Sequence, residues 1–365
     1  MSSQKCNNCT DSSCPFVAKT GLRREFLMGP VPYLFYTLQG ILFGIANLLV
    51  VGAIVRHPRL RRRKEYVSVA ALAMADVINE VAFAEAGIYR MKVVSNGDNE
   101  IGCSTTWQCM STFHGIGWAF SFPLIFFMLL AISIDRFICV VWPLDYKSYS
   151  IHYTLKLCAG FYALSGLVMG FSVYMSWRFT VDTGDCCKTN SFCFFDQLLG
   201  YPWVFFVTTG LNLLIGLISV LLYAGIPIIY VFQVKRLKAL EEMGRPELIY
   251  LLENKRLLIT LGISSLFTFV FMVLSTLCRM FLYYTRYEPW PYAGFIMNCN
   301  PMVNTFLFVL RHRDFRASFL SLIKCRPLKV GGTDTSFSDE RSSLDGLLNR
   351  MSTFTGEPIR NRGRY

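Results

Sequence analysis

Long apolar stretches alternate with shorter polar segments along the chain. Each stretch is about 20 residues or more in length, which a helix needs to cross a bilayer. Because the bilayer interior offers no water to the backbone, such stretches must be helical. The pattern predicts an all-α membrane protein, a seven-transmembrane helix bundle. Its spans are Val31–Val55, Val67–Tyr89, Met110–Val141, Leu155–Trp177, Trp203–Val234, Leu257–Tyr284 and Trp290–Leu310.

The spans divide the chain into four predicted regions. Residues 1–29 form a polar tail without the apolar core of a cleavable signal peptide. Residues 30–311 form the bundle, and residues 312–326 an amphipathic helix. Residues 327–365 lack apolar periodicity and are predicted to be a disordered cytoplasmic tail.

The distribution of charge supports the membrane assignment and predicts the orientation of the bundle. Only 16% of the 365 residues are charged, against about 25% in an ordinary soluble domain. One set of connecting segments holds 26 Lys and Arg residues and the other set holds 10. The richer side is predicted to be cytoplasmic, with the N-terminus outside. The net charge of +12 therefore borders the membrane, and nucleic acid is not an expected partner.

Cysteines favour the same orientation. Eight of the thirteen fall on the predicted outer side, where an oxidising environment preserves disulfides. Asn8-Cys9-Thr10, also outside, matches the glycosylation sequon, so Asn8 is a candidate acceptor.

A few polar residues lie inside the spans. Asp76, Asn79 and Glu80 share one region of the second span, and Asn47 of the first span is a plausible partner. Ionisable groups in a bilayer are costly and usually face the bundle interior, where they mark function. A purely structural hydrogen-bond network is the alternative, and the two are compatible.

The inner end of the third span carries Asp135-Arg136. An arginine held by an adjacent carboxylate can be released when neighbouring helices move, which makes the pair a candidate switch. The alternative is an arginine that only reaches to the membrane surface.

Together these features resemble the rhodopsin-like (class A) G-protein-coupled receptors over about residues 30–325. The resemblance rests on Asn47, Leu72-Ala73-Met74-Ala75-Asp76, Asp135-Arg136-Phe137 with Pro143-Leu144, and Asn300-Pro301. The segment Arg313–Leu320 is similar to the family's eighth helix, and Cys325 to a palmitoylation site.

The chain also departs from the family pattern. The sixth span contains neither Trp nor Pro. The seventh can be aligned in two registers, one that keeps Asn300-Pro301 and one that starts at Asn304 and lacks the proline. The resemblance makes these three residues further candidates for the switch. Such divergence resembles the nematode serpentine chemoreceptors.

The resemblance implies a ligand pocket in the outer half of the bundle. Its candidate residues are Glu85, His114, Trp118, Phe122, Arg279 and Tyr283. An aromatic cavity with few charges suits a small organic ligand, although a peptide stays possible. Each aromatic could instead be a core residue. Glu85 is expected to act as a polar anchor or as the partner of Arg279.

The resemblance also implies a disulfide from Cys109 to one of Cys186, Cys187 and Cys193. It implies a plasma-membrane receptor for a small-molecule or chemosensory cue that signals to a heterotrimeric G protein, rather than an enzyme. No cofactor or metal is expected. The alternatives are a seven-span transporter or channel and a receptor-like protein that does not signal.

Overall fold

The computed structural model describes residues 30–95, 103–183, 188–239, 263, 266–284, 291–311 and 313–323, and most of them are helical. The α-helices, in chain order, are α1 (Val31–Arg56), α2 (Pro58–Arg61), α3 (Lys64–Ser95), α4 (Thr106–Met110), α5 (Phe113–Val141), α6 (Pro143–Ser148), α7 (Ile151–Thr183), α8 (Pro202–Ala239), α9 (Ser275–Tyr284), α10 (Pro291–Arg311) and α11 (Arg313–Ile323). Strands β1 (Cys103–Thr105) and β2 (Lys188–Asn190) pair antiparallel, with Ser104 opposite Thr189.

Within these residues, α1, α3, α5, α7 and α8 are long and apolar enough to cross a membrane. The sixth predicted span appears as a shorter apolar helix, Leu266–Phe281, and the seventh as α10. The helices therefore follow the predicted order. We call the end of the bundle that carries β1 and β2 the outer end, and the end that carries α6 and α11 the inner end.

The predicted bounds of several spans need correction, among them the fourth, which runs from Ile151 to Thr183 and not from Leu155 to Trp177. The second span begins at Lys64 and ends at Ser95, beyond the predicted Val67–Tyr89. The third begins at Phe113, because the Thr112 side chain accepts a hydrogen bond from the Gly115 amide and starts a new helix. Met110, predicted within that span, belongs to α4.

Glycines let α1 and α3 approach closely. A Cβ atom on Gly40 would lie 2.5 Å from the Glu80 carbonyl oxygen and 2.6 Å from the Ala84 amide nitrogen. Such contacts are typical of membrane helices, whose interfaces favour small residues. This packing fixes the position of α3, the helix that carries Asp76, Asn79 and Glu80.

Side-chain hydroxyls attach α7 to the bundle. Ser165 donates to the Phe120 carbonyl at 2.7 Å, and Tyr162 donates to the Ala71 carbonyl at 2.8 Å. Ser176 donates to the Thr106 carbonyl at 3.2 Å. Most of the remaining surface of α7 faces outward, so a few polar contacts hold this helix in place.

The sixth helix contains a π-helical segment, Phe269–Leu274. A π turn holds one more residue than an α turn, and it is common at functional sites in helices. Met272 and Val273 of this segment are buried. Val273 and Phe126 both pack against Gly216 of α8, where a Cβ atom would be crowded.

The predicted amphipathic helix is present as α11. The Phe315 ring stacks on the Tyr66 ring with centroids 6.4 Å apart. The Ser318 hydroxyl donates to the Ala53 carbonyl at 2.9 Å. These contacts hold α11 against the inner ends of α1 and α3.

Candidate functional site

The candidate switch at the inner end includes a third residue. Arg136 contacts the Asp135 carboxylate, and its Nη2 donates to the Tyr146 hydroxyl at 3.0 Å. That hydroxyl donates in turn to Asp135, 3.1 Å from Oδ1 and 3.0 Å from Oδ2. All three residues are at most 1% exposed, so water does not weaken their interactions.

Tyr146 lies on the short helix α6, and the local sequence explains where this helix begins. Pro143 follows the end of α5 at Trp142 and occupies the first turn of α6, where its missing N–H costs nothing. One turn later, Tyr146 turns back to Asp135. Burial raises the pKa of Tyr146 and Arg136 opposes the shift, so the hydroxyl keeps the proton that it donates.

Lys64 supports the cluster from α3. Its Nζ donates to the Tyr146 carbonyl and lies 4.0 Å from the centroid of the Tyr146 ring. The sequence pattern did not assign Tyr146 or Lys64 to the switch. In the sequence, only two features could have indicated these residues: the position of Tyr146 three residues after Pro143, and that of Lys64 at the start of a span.

A polar network crosses the middle of the bundle. Asn79 donates to Asn298 at 2.9 Å and accepts from the Ser121 hydroxyl at 3.0 Å. Asn298 donates to Glu80 Oε2 at 2.8 Å, and Thr268 donates to Asn300 at 3.0 Å. Asn298, Ser121 and Thr268 were not predicted, since serines, threonines and asparagines are common in membrane helices.

A small cavity lies beside this network. It is lined by Asp76, Asn79, Phe122, Ile125, Met272, Asn298, Asn300 and Pro301. Asp76 Oδ1 and Glu80 Oε1 are buried and have no hydrogen-bond partner among the described residues. The network therefore contains acceptors that a rearranged bundle could satisfy.

Asn47 does not join the second-span residues as expected. Its Nδ2 donates to the Phe43 carbonyl at 3.0 Å, and its Oδ1 accepts from Thr305 at 3.2 Å. Since α10 passes beside α1, the Asn47 amide bonds within α1 and to α10 rather than to Asp76. Asn304 and Pro301 are both buried in α10.

A disulfide joins Cys109 to Cys193 at the outer end. The prediction that Cys109 pairs with one of three loop cysteines is confirmed. The other two candidates, Cys186 and Cys187, lie outside the described residues, as do Asn8 and Cys325.

Arg90 of α3 binds the backbone of the loop that contains Cys193. Its Nε donates to the Phe192 carbonyl at 2.9 Å and its Nη2 to the Cys193 carbonyl at 3.4 Å. The guanidinium carbon lies 4.5 Å from the Phe194 ring and 5.3 Å from both the Tyr36 and Trp118 rings. Arg90 was not predicted, because an arginine at the outer end of a span is also typical of a membrane-surface residue.

Glu85 is bound by His114, which corrects its expected pairing with Arg279. Glu85 Oε2 accepts from the His114 amide at 3.0 Å and lies 2.5 Å from His114 Nδ1. The reason is local: His114 sits in the first turn of α5, where its amide N–H needs an acceptor. His114 is fully buried against the Tyr89 and Trp118 rings.

The other predicted pocket residues meet the loop after Cys193. The Phe195 and Phe122 ring centroids are 4.6 Å apart in an edge-to-face arrangement. Arg279 lies over both rings, 5.0 Å from Phe195 and 5.8 Å from Phe122. Trp118 is 3% exposed. The backbone of Tyr283 lies in α9, while its side chain is outside the described set.

Known proteins give an independent comparison. The model of a family described as "7 transmembrane receptor (rhodopsin family)" matches residues 46–308. Cannabinoid receptor 2 of Rattus norvegicus is 25% identical to this chain over 177 residues, or 47% of this chain and 44% of that receptor. The matched region spans less than half the length of that relative.

Proposed function

This chain belongs to the rhodopsin family of seven-transmembrane receptors, and on that premise we propose that it transmits an external ligand signal to a heterotrimeric G protein. It is a multi-pass membrane protein. We place it in the plasma membrane with the N-terminus outside, supported by the Lys and Arg asymmetry and by a disulfide at the outer end. The ligand is a small molecule, and a chemosensory cue stays a prediction.

The Asp135–Arg136–Tyr146 cluster carries this proposal. It joins the end of α5 to α6 through buried, charge-assisted hydrogen bonds. Releasing Arg136 requires that Tyr146 leave its site, so the closed arrangement represents one of two states. Ligand binding shifts the population to the other state, in which Arg136 faces the G protein.

The π-helical segment supplies the second part of the mechanism. The family pattern includes a proline hinge in the sixth span, and the sixth span of this chain has no proline. Phe269–Leu274 interrupts the regular α ladder at the level of Phe122 and the central cavity, which Met272 lines. We assign it the role of hinge, because irregular turns are where helices bend.

Nucleotide exchange in membrane nanodiscs tests the function. We would combine the purified receptor with a panel of Gα classes and measure nucleotide exchange without added ligand. Wild type is expected to raise exchange above empty nanodiscs with at least one class, and Arg136→Ala to return it to background. Lys147→Ala is the matched control, since Lys147 is an exposed basic residue on α6.

The outcomes separate the alternatives. Unchanged exchange in Arg136→Ala would contradict the switch assignment. If neither the wild type nor Tyr146→Phe raised exchange with any Gα class, the receptor-like protein that does not signal would be favoured.

A further inference from the structure

The loop after the disulfide enters the predicted ligand pocket. Cys193 is fixed to α4 by its bond to Cys109, and Arg90 holds the carbonyls of Phe192 and Cys193. Phe192 is 1% exposed, so this attachment is buried. The chain that follows, Phe194-Phe195-Asp196, is thereby held against the helices, and all three residues are half-buried.

This segment brings one ring against α5 and another against α3. Phe195 meets Phe122 edge-to-face at 4.6 Å, and Phe194 lies 4.5 Å from the Arg90 guanidinium carbon. Edge-to-face pairs and cation–π contacts each add modestly to simple burial. A ring of the loop therefore occupies the position that the sequence analysis assigned to a small organic ligand.

The same segment brings a carboxylate towards the arginine of the outer pocket. Arg279 is half-buried over the Phe122 and Phe195 rings, and a cation partly removed from water is stabilised by an opposite charge nearby. The carboxylate is that of Asp196, which follows Phe195 directly in the chain, and the Phe195 ring lies 5.0 Å from the Arg279 guanidinium carbon. Glu85 is engaged by His114. Burial raises the pKa of Asp196, while Arg279 and Arg90 oppose the rise.

We infer that the outer pocket binds an aromatic or apolar small molecule carrying one carboxylate, which displaces Phe195 and Asp196 and pairs with Arg279. The inference rests on the proposed receptor function and specifies its ligand class. The loop segment presents this chemistry, a ring beside a carboxylate. A cationic ligand would be repelled by Arg90 and Arg279. A neutral ligand that displaced Asp196 would remove that carboxylate and bring no charge in its place.

Matched probes test the ligand class. Full-length receptor in detergent would be titrated with biphenylacetate, with the alcohol of the same skeleton and with the corresponding amine. The readout is the midpoint of thermal unfolding, which a ligand of the folded state raises with concentration. The carboxylate is expected to raise the midpoint, and the alcohol and amine to raise it much less at equal concentration.

Three variants locate the effect. Arg279→Gln is expected to weaken carboxylate binding by about tenfold, the size of a lost charge-assisted contact, and Arg279→Lys to retain most of it. Asp196→Asn is expected to strengthen binding by several-fold, because the competing carboxylate is gone. Arg178→Gln, at an outer-end arginine whose side chain is 50% exposed, is expected to behave as wild type.

Specific results would overturn the inference. Equal stabilisation by the alcohol and the carboxylate would exclude the ligand class. Unchanged carboxylate affinity in Asp196→Asn would exclude displacement of the loop, and this variant keeps the side-chain size. Because thermal unfolding needs no G protein, the ligand class can fail while ligand-free nucleotide exchange persists, so the two proposals are separable.

Discussion

At the residue scale, one hydroxyl group connects the parts of the inner switch. Tyr146 accepts from Arg136 and donates to Asp135, and each of these contacts is buried. Removing a single buried partner leaves the other groups unsatisfied, which is costlier than the bond itself. Tyr146 thus controls how readily Arg136 leaves Asp135.

Tyr146→Phe is therefore expected to raise ligand-free nucleotide exchange by several-fold, since losing a hydrogen bond to charged groups costs about 1.5–3 kcal/mol. The ring keeps its packing, so folding should persist. The measurement is nucleotide exchange with the responsive Gα class, with Tyr149→Phe as control, because Tyr149 is an exposed residue just after α6. A decrease in exchange would show that Tyr146 supports the active state instead.

Gly40 gives a second prediction at this scale. Gly40→Ala would force a methyl group within 2.5 Å of the Glu80 carbonyl, and overpacking costs about 1–3 kcal/mol. The midpoint of thermal unfolding should fall by several degrees. In Gly170→Ala the new Cβ meets nothing within 4 Å, so stability should stay the same or rise by up to about 1 kcal/mol. Equal effects of the two substitutions would contradict the close approach of α1 and α3.

At the element scale, the sixth helix differs most from the resemblance. The sequence showed only that proline was missing. The structure replaces it with the π-helical segment Phe269–Leu274, directly after Thr268, which donates to Asn300. The ends of the sixth helix thus keep contacts with α10 while its middle departs from regular α geometry.

Deleting Val270 tests the hinge. A π turn arises from one additional residue, so the deletion should restore a regular helix while Thr268 and Ser275 keep their faces. We expect ligand-free exchange to fall by several-fold while thermal stability is maintained. The control deletes Leu277 from α9, which rotates the following residues by about 100° and should reduce folding. Full exchange by the Val270 deletion would exclude a hinge role.

At the scale of the whole molecule, the disulfide and Arg90 organise the outer end around one loop. Cys109 and Cys193 join α4 to the loop, and a bond that closes a long loop stabilises by limiting the unfolded chain. Cys109→Ser is expected to lower the amount of receptor at the cell surface by several-fold. Cys278→Ser is the control, because Cys278 is an exposed cysteine outside any disulfide. Normal surface levels of both variants would contradict a structural role for the bond.

The sequence predicted the order of the helices because bilayer thickness imposes a length that apolar runs display directly. It also identified Arg136 and the polar residues of α3, since charges are rare in spans, and the family resemblance identified Cys109. It could not predict that Glu85 meets His114 or that Arg90 holds the loop. Those pairings depend on helix rotation and loop path, which no local pattern encodes.

The loop also affects the apparent affinity of a ligand for the outer pocket. It is held at Cys193 and again where α8 begins at Pro202, so a displaced Phe195 stays near its site. A short flexible tether gives an effective concentration of order millimolar. An added ligand thus competes with an occupant that cannot be diluted. The ligand concentration for half-maximal response should therefore be well above the intrinsic dissociation constant of the pocket. A substitution that weakens the binding of Phe195 in the pocket should lower this concentration without adding a ligand contact.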